Sequence, residues 1–244
     1  MRRRPHGLIP VLLLALAVGG CGTPAPRPGA GAGAGSGSGA TSPSGTASTG
    51  TPAPPAFSSE ITTVTATELG ASWRPGCPVG PADLRTLKLS YWGFDGQSHL
   101  GTIVVHRTVA DEVVGVFATL YRERFPIRRL TPVSDYGGSD DRSMADDNSS
   151  GFNCREAVAD GPTKWSAHAY GQAIDINPVE NPYLVDGDVL PPAGAPYADR
   201  TTVEGDGLAV PGGTLVKAFA GAGWQWGGEW STAPDYQHFS RTGD

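Results

Sequence analysis

The sequence predicts an α+β fold, a small antiparallel sheet with flanking helices. Three observations carry this expectation. Two apolar-rich runs surround a turn signal at Asp95-Gly96. A segment with apolar residues at helical spacing follows them. Strands and helices then mix without a βαβ rhythm. In chain order, Leu87 to Phe94 and His99 to Val105 read as the two strands of the hairpin. Val109 to Phe125 places Val113, Val114, Phe117, Leu120, Tyr121 and Phe125 on one helical face. Pro126 and Ile127 to Leu130 start an extended segment. Gly137 to Ser150 is polar and acidic and reads as loop. Ala173 to Ile176 reads as a short strand, and Thr214 to Ala222 as a short helix ended by Gly221 or Gly223.

The first part of the chain has a different character. Arg2, Arg3 and Arg4 precede an apolar run from Leu8 to Val18, too short to span a bilayer as a mature helix. Val18-Gly-Gly-Cys21 closes it, so residues 1–21 resemble a bacterial lipoprotein signal whose cysteine, Cys21, is lipidated. Plain secretion is the alternative; both predict export. Gly22 to Ala56 contains only Gly, Ala, Ser, Thr and Pro apart from Arg27, and no such segment can build a core. Residues 22–57 therefore read as a flexible tether with a reach on the order of 30 Å. Residues 58–244 are left as the folded domain.

Charge and cysteines narrow the options further. Of the 244 residues, 18 are basic and 24 acidic; without Arg2, Arg3 and Arg4 the net charge falls from −6 to −9. No basic patch is visible, which argues against nucleic acid or anionic lipid head groups as partners. With Cys21 lipidated, Cys77 and Cys154 remain. In an oxidising compartment they read as one disulfide. Two buried free thiols are the alternative.

Serine chemistry lacks its motifs. The three lysines, Lys88, Lys164 and Lys217, have Arg85, Gly161 and Thr214 three residues before them, so no Ser-x-x-Lys occurs, and Gly-x-Ser-x-Gly is also absent. A metal fits better. His99 and His106 lie seven apart on a predicted strand and so on opposite faces, which suits structural or surface roles. His168 and Asp175 differ, because Gly171 between them permits a turn. Asp175 sits between Ile174 and Ile176, so its carboxylate either points into solvent or meets a partner such as a cation. A second cluster, Pro234-Asp-Tyr-Gln-His-Phe239, adds another His and another Asp. Zinc with three protein ligands keeps a fourth position for water.

Taken together, Ser166-x-His168-x6-Asp175 and Asp235-x-x-His238 resemble the M15 family of zinc D-alanyl-D-alanine carboxypeptidases and peptidoglycan L-alanyl-D-glutamate endopeptidases. Ile174 to Pro178, Asn181-Pro-Tyr183, Trp226-Gly-Gly228, Arg142-Ser-Met-Ala145 and Gly151 to Arg155 extend the likeness from about Leu89 to Ser240. The resemblance implies a hedgehog/DD-peptidase-like fold, with Zn2+ held by His168, Asp175 and His238. It implies Asp235 as general base, where many members have Glu. It also implies a substrate-holding or oxyanion-stabilising arginine, carried onto Arg142 with Arg155 as its rival. Ser166 is expected near metal or substrate. Gln237 stands where a bulkier residue is common. The implied partners are peptidoglycan stem peptides, and the membrane through the lipid anchor only, with the protein a monomer facing the cell wall. A non-catalytic, zinc-stabilised wall-binding module is the alternative of another class; it would not need Asp235.

Overall fold

The hairpin forms because apolar residues alternate on two runs joined by a tight turn. In the computed structural model, which describes residues 55–157 and 163–243, three antiparallel strands build the first sheet. These are β1 (Ser59–Thr63), β2 (Leu84–Trp92) and β3 (Ser98–His106), in that order. Between β1 and β2 lies α1 (Ala66–Leu69), started by a capping box in which Thr65 and Glu68 satisfy each other's backbone N–H groups. At the hairpin turn Gly96 takes φ +70°, and Asp95 accepts from the Gln97 amide at 3.0 Å. The signal residues 1–21, the lipidated Cys21 and most of the tether lie outside the described residues.

The β2–β3 hairpin is covered on both faces. Leu87, Leu89, Ile103 and Val105 face α2 (Ala110–Arg122), which buries Val113, Val116, Phe117 and Leu120 against them. Leu84 and Val104 face the other way and pack on Val64, Leu69, Phe152 and Cys154. The segment before β2 is therefore part of the domain, and the disulfide between Cys77 and Cys154 fastens it there. Closing a loop across 77 positions contributes at most about 4–5 kcal/mol by the loop-entropy relation.

Where a loop was expected between Gly137 and Ser150, the structure has α3 (Asp140–Ala145). It lies between β4 (Arg129–Leu130) and its parallel partner β5 (Asn148–Ser149). Polar groups organise this part. Ser139 caps α3 by accepting from the Arg142 amide at 3.3 Å, with Asp140 and Asp141 in the first turn. Asn148 joins α3 to the Thr131 backbone by bonding Ser143 Oγ and the Thr131 amide and carbonyl at 2.9 Å each. No apolar periodicity marks such a helix.

The second sheet contains β6 (Ala173–Asp175). The chain then makes a hairpin of β7 (Tyr183–Val185) and β8 (Asp188–Leu190). It continues through α4 (Thr214–Gly221), β9 (Gln225–Trp226) and β10 (His238–Ser240). Its antiparallel order is β6-β10-β9, with His238 opposite Asp175 and Phe239 opposite Ile174. Ile174, Ile176, Phe239, Trp224 and Trp226 join α4's Leu215 and Phe219 in the main core, with Phe239 stacked on Phe219 at 4.2 Å. The molecule is thus mixed helix and small antiparallel sheet, as the sequence predicts.

Candidate metal centre

Asp175 is turned away from the core by strand alternation, since Ile174 and Ile176 on either side of it are fully buried in the apolar cluster. Its backbone is held on both sides. The Asp175 amide donates to Ser150 O, and the Ser150 amide to Asp175 O, each at 2.9 Å, while β10 pairs along its other edge. The register of β10 then puts His238 directly across from it.

His168 arrives from a single 3-10 turn, Ala167–Tyr170. Ser166 starts the turn by accepting from the His168 amide at 3.3 Å, and Gly171 ends it at φ +66°. A side chain at 171 would be strained, and its Cβ would lie 2.7 Å from the His106 amide nitrogen.

The three side chains converge. His168 Nε2 lies 3.1 Å from Asp175 Oδ2 and 3.2 Å from His238 Nδ1, and His238 Nδ1 lies 3.2 Å from Asp175 Oδ1. All three residues are at least 95% buried. The other His168 nitrogen, Nδ1, donates to the Gly151 carbonyl at 2.7 Å. In the neutral ring that leaves Nε2 as a lone-pair acceptor. An acceptor nitrogen and a carboxylate oxygen at 3.1 Å need a cation between them, either a proton or a metal ion. A tetrahedral zinc site with bonds of about 2.0–2.1 Å sets its donors about 3.3 Å apart. The donor set, its spacing and the backbone-anchored imidazole therefore fit a divalent metal, and this buried His/Asp/His group could bind one. Burial alone would push the Asp175 carboxyl up, but the facing His168 and His238 imidazoles outweigh it and hold the carboxyl far below the usual range.

Asp235 stands beside this group. It lies just before the bend at Tyr236 and Gln237, tied by its amide to Gly227 O at 3.0 Å and by its carbonyl to the His238 amide at 3.3 Å. The bend lets Asp235 and His238 line one cavity, although strict alternation would separate them. Asp235 Oδ1 is buried and accepts no hydrogen bond from the described residues. Burial, reinforced by the Asp175 charge, pushes its carboxyl up to about 7. Gly227 permits this packing, because a Cβ there would sit 2.8 Å from Asp235 O.

The cavity holds about 110 Å3, and its lining includes Asp140, Arg155, Trp165, Ser166, His168, Asp175, Tyr183, Trp230, Asp235 and His238. Arg155 reaches it and pairs with Asp140 at 2.9 Å. Arg142 does not line it. Its side chain is exposed, and its guanidinium donates to the Tyr136 carbonyl. Of the two arginines, the structure thus places Arg155 at the site and turns Arg142 away, because α3 directs the Arg142 side chain back over Gly137. His99 pairs with Asp95 at 3.0 Å and His106 with Thr108 at 2.7 Å, both apart from the metal group. Sequence reasoning did not single out Asp140 or Tyr183 for the site. Nothing in the pattern marks either side chain, although Tyr183 stands in the quoted Asn181-Pro-Tyr183 motif.

The fold thus sets a buried His/Asp/His group that could hold a metal beside a carboxyl in one cavity. A family model described as D-alanyl-D-alanine carboxypeptidase matches residues 159–241. The match, over about a third of the chain, supports an M15 family peptidase. It takes in His168, Asp175, Asp235 and His238, and is shorter than the stretch from Leu89 over which the motifs resemble the family. No curated protein and no solved structure matches the chain.

Proposed function

We propose that the protein is a zinc-dependent peptidase that hydrolyses peptidoglycan stem peptides, of the D-alanyl-D-alanine carboxypeptidase type, on a hedgehog/DD-peptidase-like fold. The observation that carries this reading is a buried carboxyl, Asp235, with an oxygen unpartnered among the described residues, beside donor atoms of His168, Asp175 and His238 that all lie within 4.8 Å of one another. Zinc bound there would polarise the scissile carbonyl and lower the pKa of an attacking water. Asp235 Oδ1 takes that water's proton and passes it to the leaving amine. Its burial favours the protonated form that must persist between the two transfers.

The Arg155 guanidinium is the cation for a substrate carboxylate or a developing oxyanion, and Asp140 holds it in place. Ser166 acts through His168, by fixing the turn that carries it. Trp230, whose ring lies 5.4 Å from that of His238, shields the centre from bulk water. Lipidation at Cys21, the tether 22–57 and a monomer at the membrane facing the wall complete the proposal. A tether with a reach on the order of 30 Å lets the domain meet wall polymer from a fixed anchor.

The test is mass analysis of defined stem peptides incubated with zinc-loaded protein. The carboxypeptidase reading predicts loss of one terminal D-alanine, and cleavage between L-alanine and D-glutamate would replace it with the endopeptidase reading. Asp235→Asn is expected to lower kcat by about 10²–10⁴-fold with zinc retained. Unchanged turnover in that variant would remove Asp235 from the mechanism.

A further inference from the structure

Among the described residues the cavity has a second unpartnered acceptor, besides Asp235 Oδ1, on a residue that the proposed mechanism does not use. Gln237 lines the cavity, and its side chain is almost fully enclosed, with the residue 2% exposed. Its Nε2 donates to Met144 Sδ at 3.6 Å. A thioether has no proton to give, so the amide turns its NH2 toward Met144 and leaves Oε1 as the free end. No described residue donates to Oε1. Donors do line the cavity, on Arg155, Trp165, Ser166, Tyr183 and Trp230, but none of them bonds this oxygen.

A buried carbonyl without a donor is costly and rare, so the orphan calls for an explanation. The missing donor is better a neutral N–H than an ammonium, because one uncharged carbonyl in an enclosed site cannot replace the hydration of a cation. Gln237 lines the same cavity as Asp235 and His238, the space in which a bound peptide would react. We propose that Gln237 Oε1 accepts a hydrogen bond from a backbone amide of the bound peptide, one flanking the bond that is cut. That makes Gln237 a specificity-determining residue. The inference rests on reading the cavity as a peptide cleft. A site built around such a bond rejects an analogue lacking the N–H, because the carbonyl is then buried against nothing.

The experiment replaces each flanking amide of a cleaved stem peptide, one at a time, by an ester of the same shape. It then compares kcat/KM for zinc-loaded wild type and Gln237→Met, an apolar side chain of similar length. One replacement is expected to cost wild type about 10–100-fold. The same replacement should cost Gln237→Met less than about 3-fold, with zinc stoichiometry unchanged. If no ester costs wild type more than about 3-fold, the inference falls, whether or not the variant folds. Equal losses in both proteins overturn it too. If the parent peptide is not cleaved at all, the peptidase reading fails separately. The same amide–ester pairs are then compared by binding, read from the fluorescence of Trp165 and Trp230 in the cavity wall. An ester bound as tightly as its amide in every pair, or no binding of any peptide, overturns the acceptor role.

Discussion

The two three-stranded sheets are built on different principles. In the first, β2 and β3 are nine residues each and pair along their whole length. Apolar side chains cover both of their faces. In the second, no strand exceeds three residues, and only one face is apolar. Ile174 and Phe239 go to the core, while Asp175 and His238 go to the cavity. Register stabilises the first sheet. In the second it positions ligands, since a one-residue slip of β10 would turn Phe239 into the cavity and His238 into the core. The longer sheet supplies the stability that lets the shorter one carry buried charge.

Substitutions should separate these roles. The largest effect is expected from His238→Ala, which removes a donor from the short sheet. Zinc binding should be lost, and kcat/KM should fall by at least about 10³-fold, a barrier change of several kcal/mol. Circular dichroism should still show a folded domain. Leu87→Ala in the long sheet should do the reverse, costing about 2–5 kcal/mol in denaturant unfolding and leaving kcat of the folded fraction unchanged. Gly227→Ala sharpens the comparison, because its Cβ would press on Asp235 O at 2.8 Å. About 1–3 kcal/mol of stability should be lost, together with about 10–100-fold in kcat.

The smallest effect concerns the polar knot just beyond β6. There Arg128 bridges Asp147 at 3.2 Å and Glu180 at 3.1 Å. Burial, and then the neighbouring Asp147, push the Glu180 carboxyl from its ordinary 4.5 up to about 7. A raised carboxyl contributes stability that is fully present below pH 4.5 and is lost as pH rises through about 7. Stability measured from pH 5 to 8 should therefore carry a downward component that Glu180→Gln removes. An unchanged pH slope in that variant would separate the knot from the titration.

The hairpin, α2 and α4 were legible in the sequence because each repeats an apolar period long enough to read, and because Asp95-Gly96 marks the turn. β6 was legible from Ile174 and Ile176. The short α3, β5 and β9 were not. Their positions depend on Asn148, on the Ser139 cap and on partners distant in the chain, none of which leaves a periodic trace. At the site, His168, Asp175, Asp235 and His238 stood out by type and spacing. The choice between Arg142 and Arg155 was not readable. It depends on which way a six-residue helix points its side chains and on the ion pair that Asp140 offers. Gln237 drew notice only as a substitution for something bulkier; its unpartnered oxygen is a property of packing.

Zinc titration of the chelator-stripped domain tests the central claim most directly, read by bound metal per chain and by thermal unfolding. One zinc per chain is predicted, with a higher Tm on binding, and neither effect should survive in His168→Ala or Asp175→Ala. A wild-type domain that takes up no stoichiometric zinc, or variants that bind it as tightly as wild type, would contradict the account.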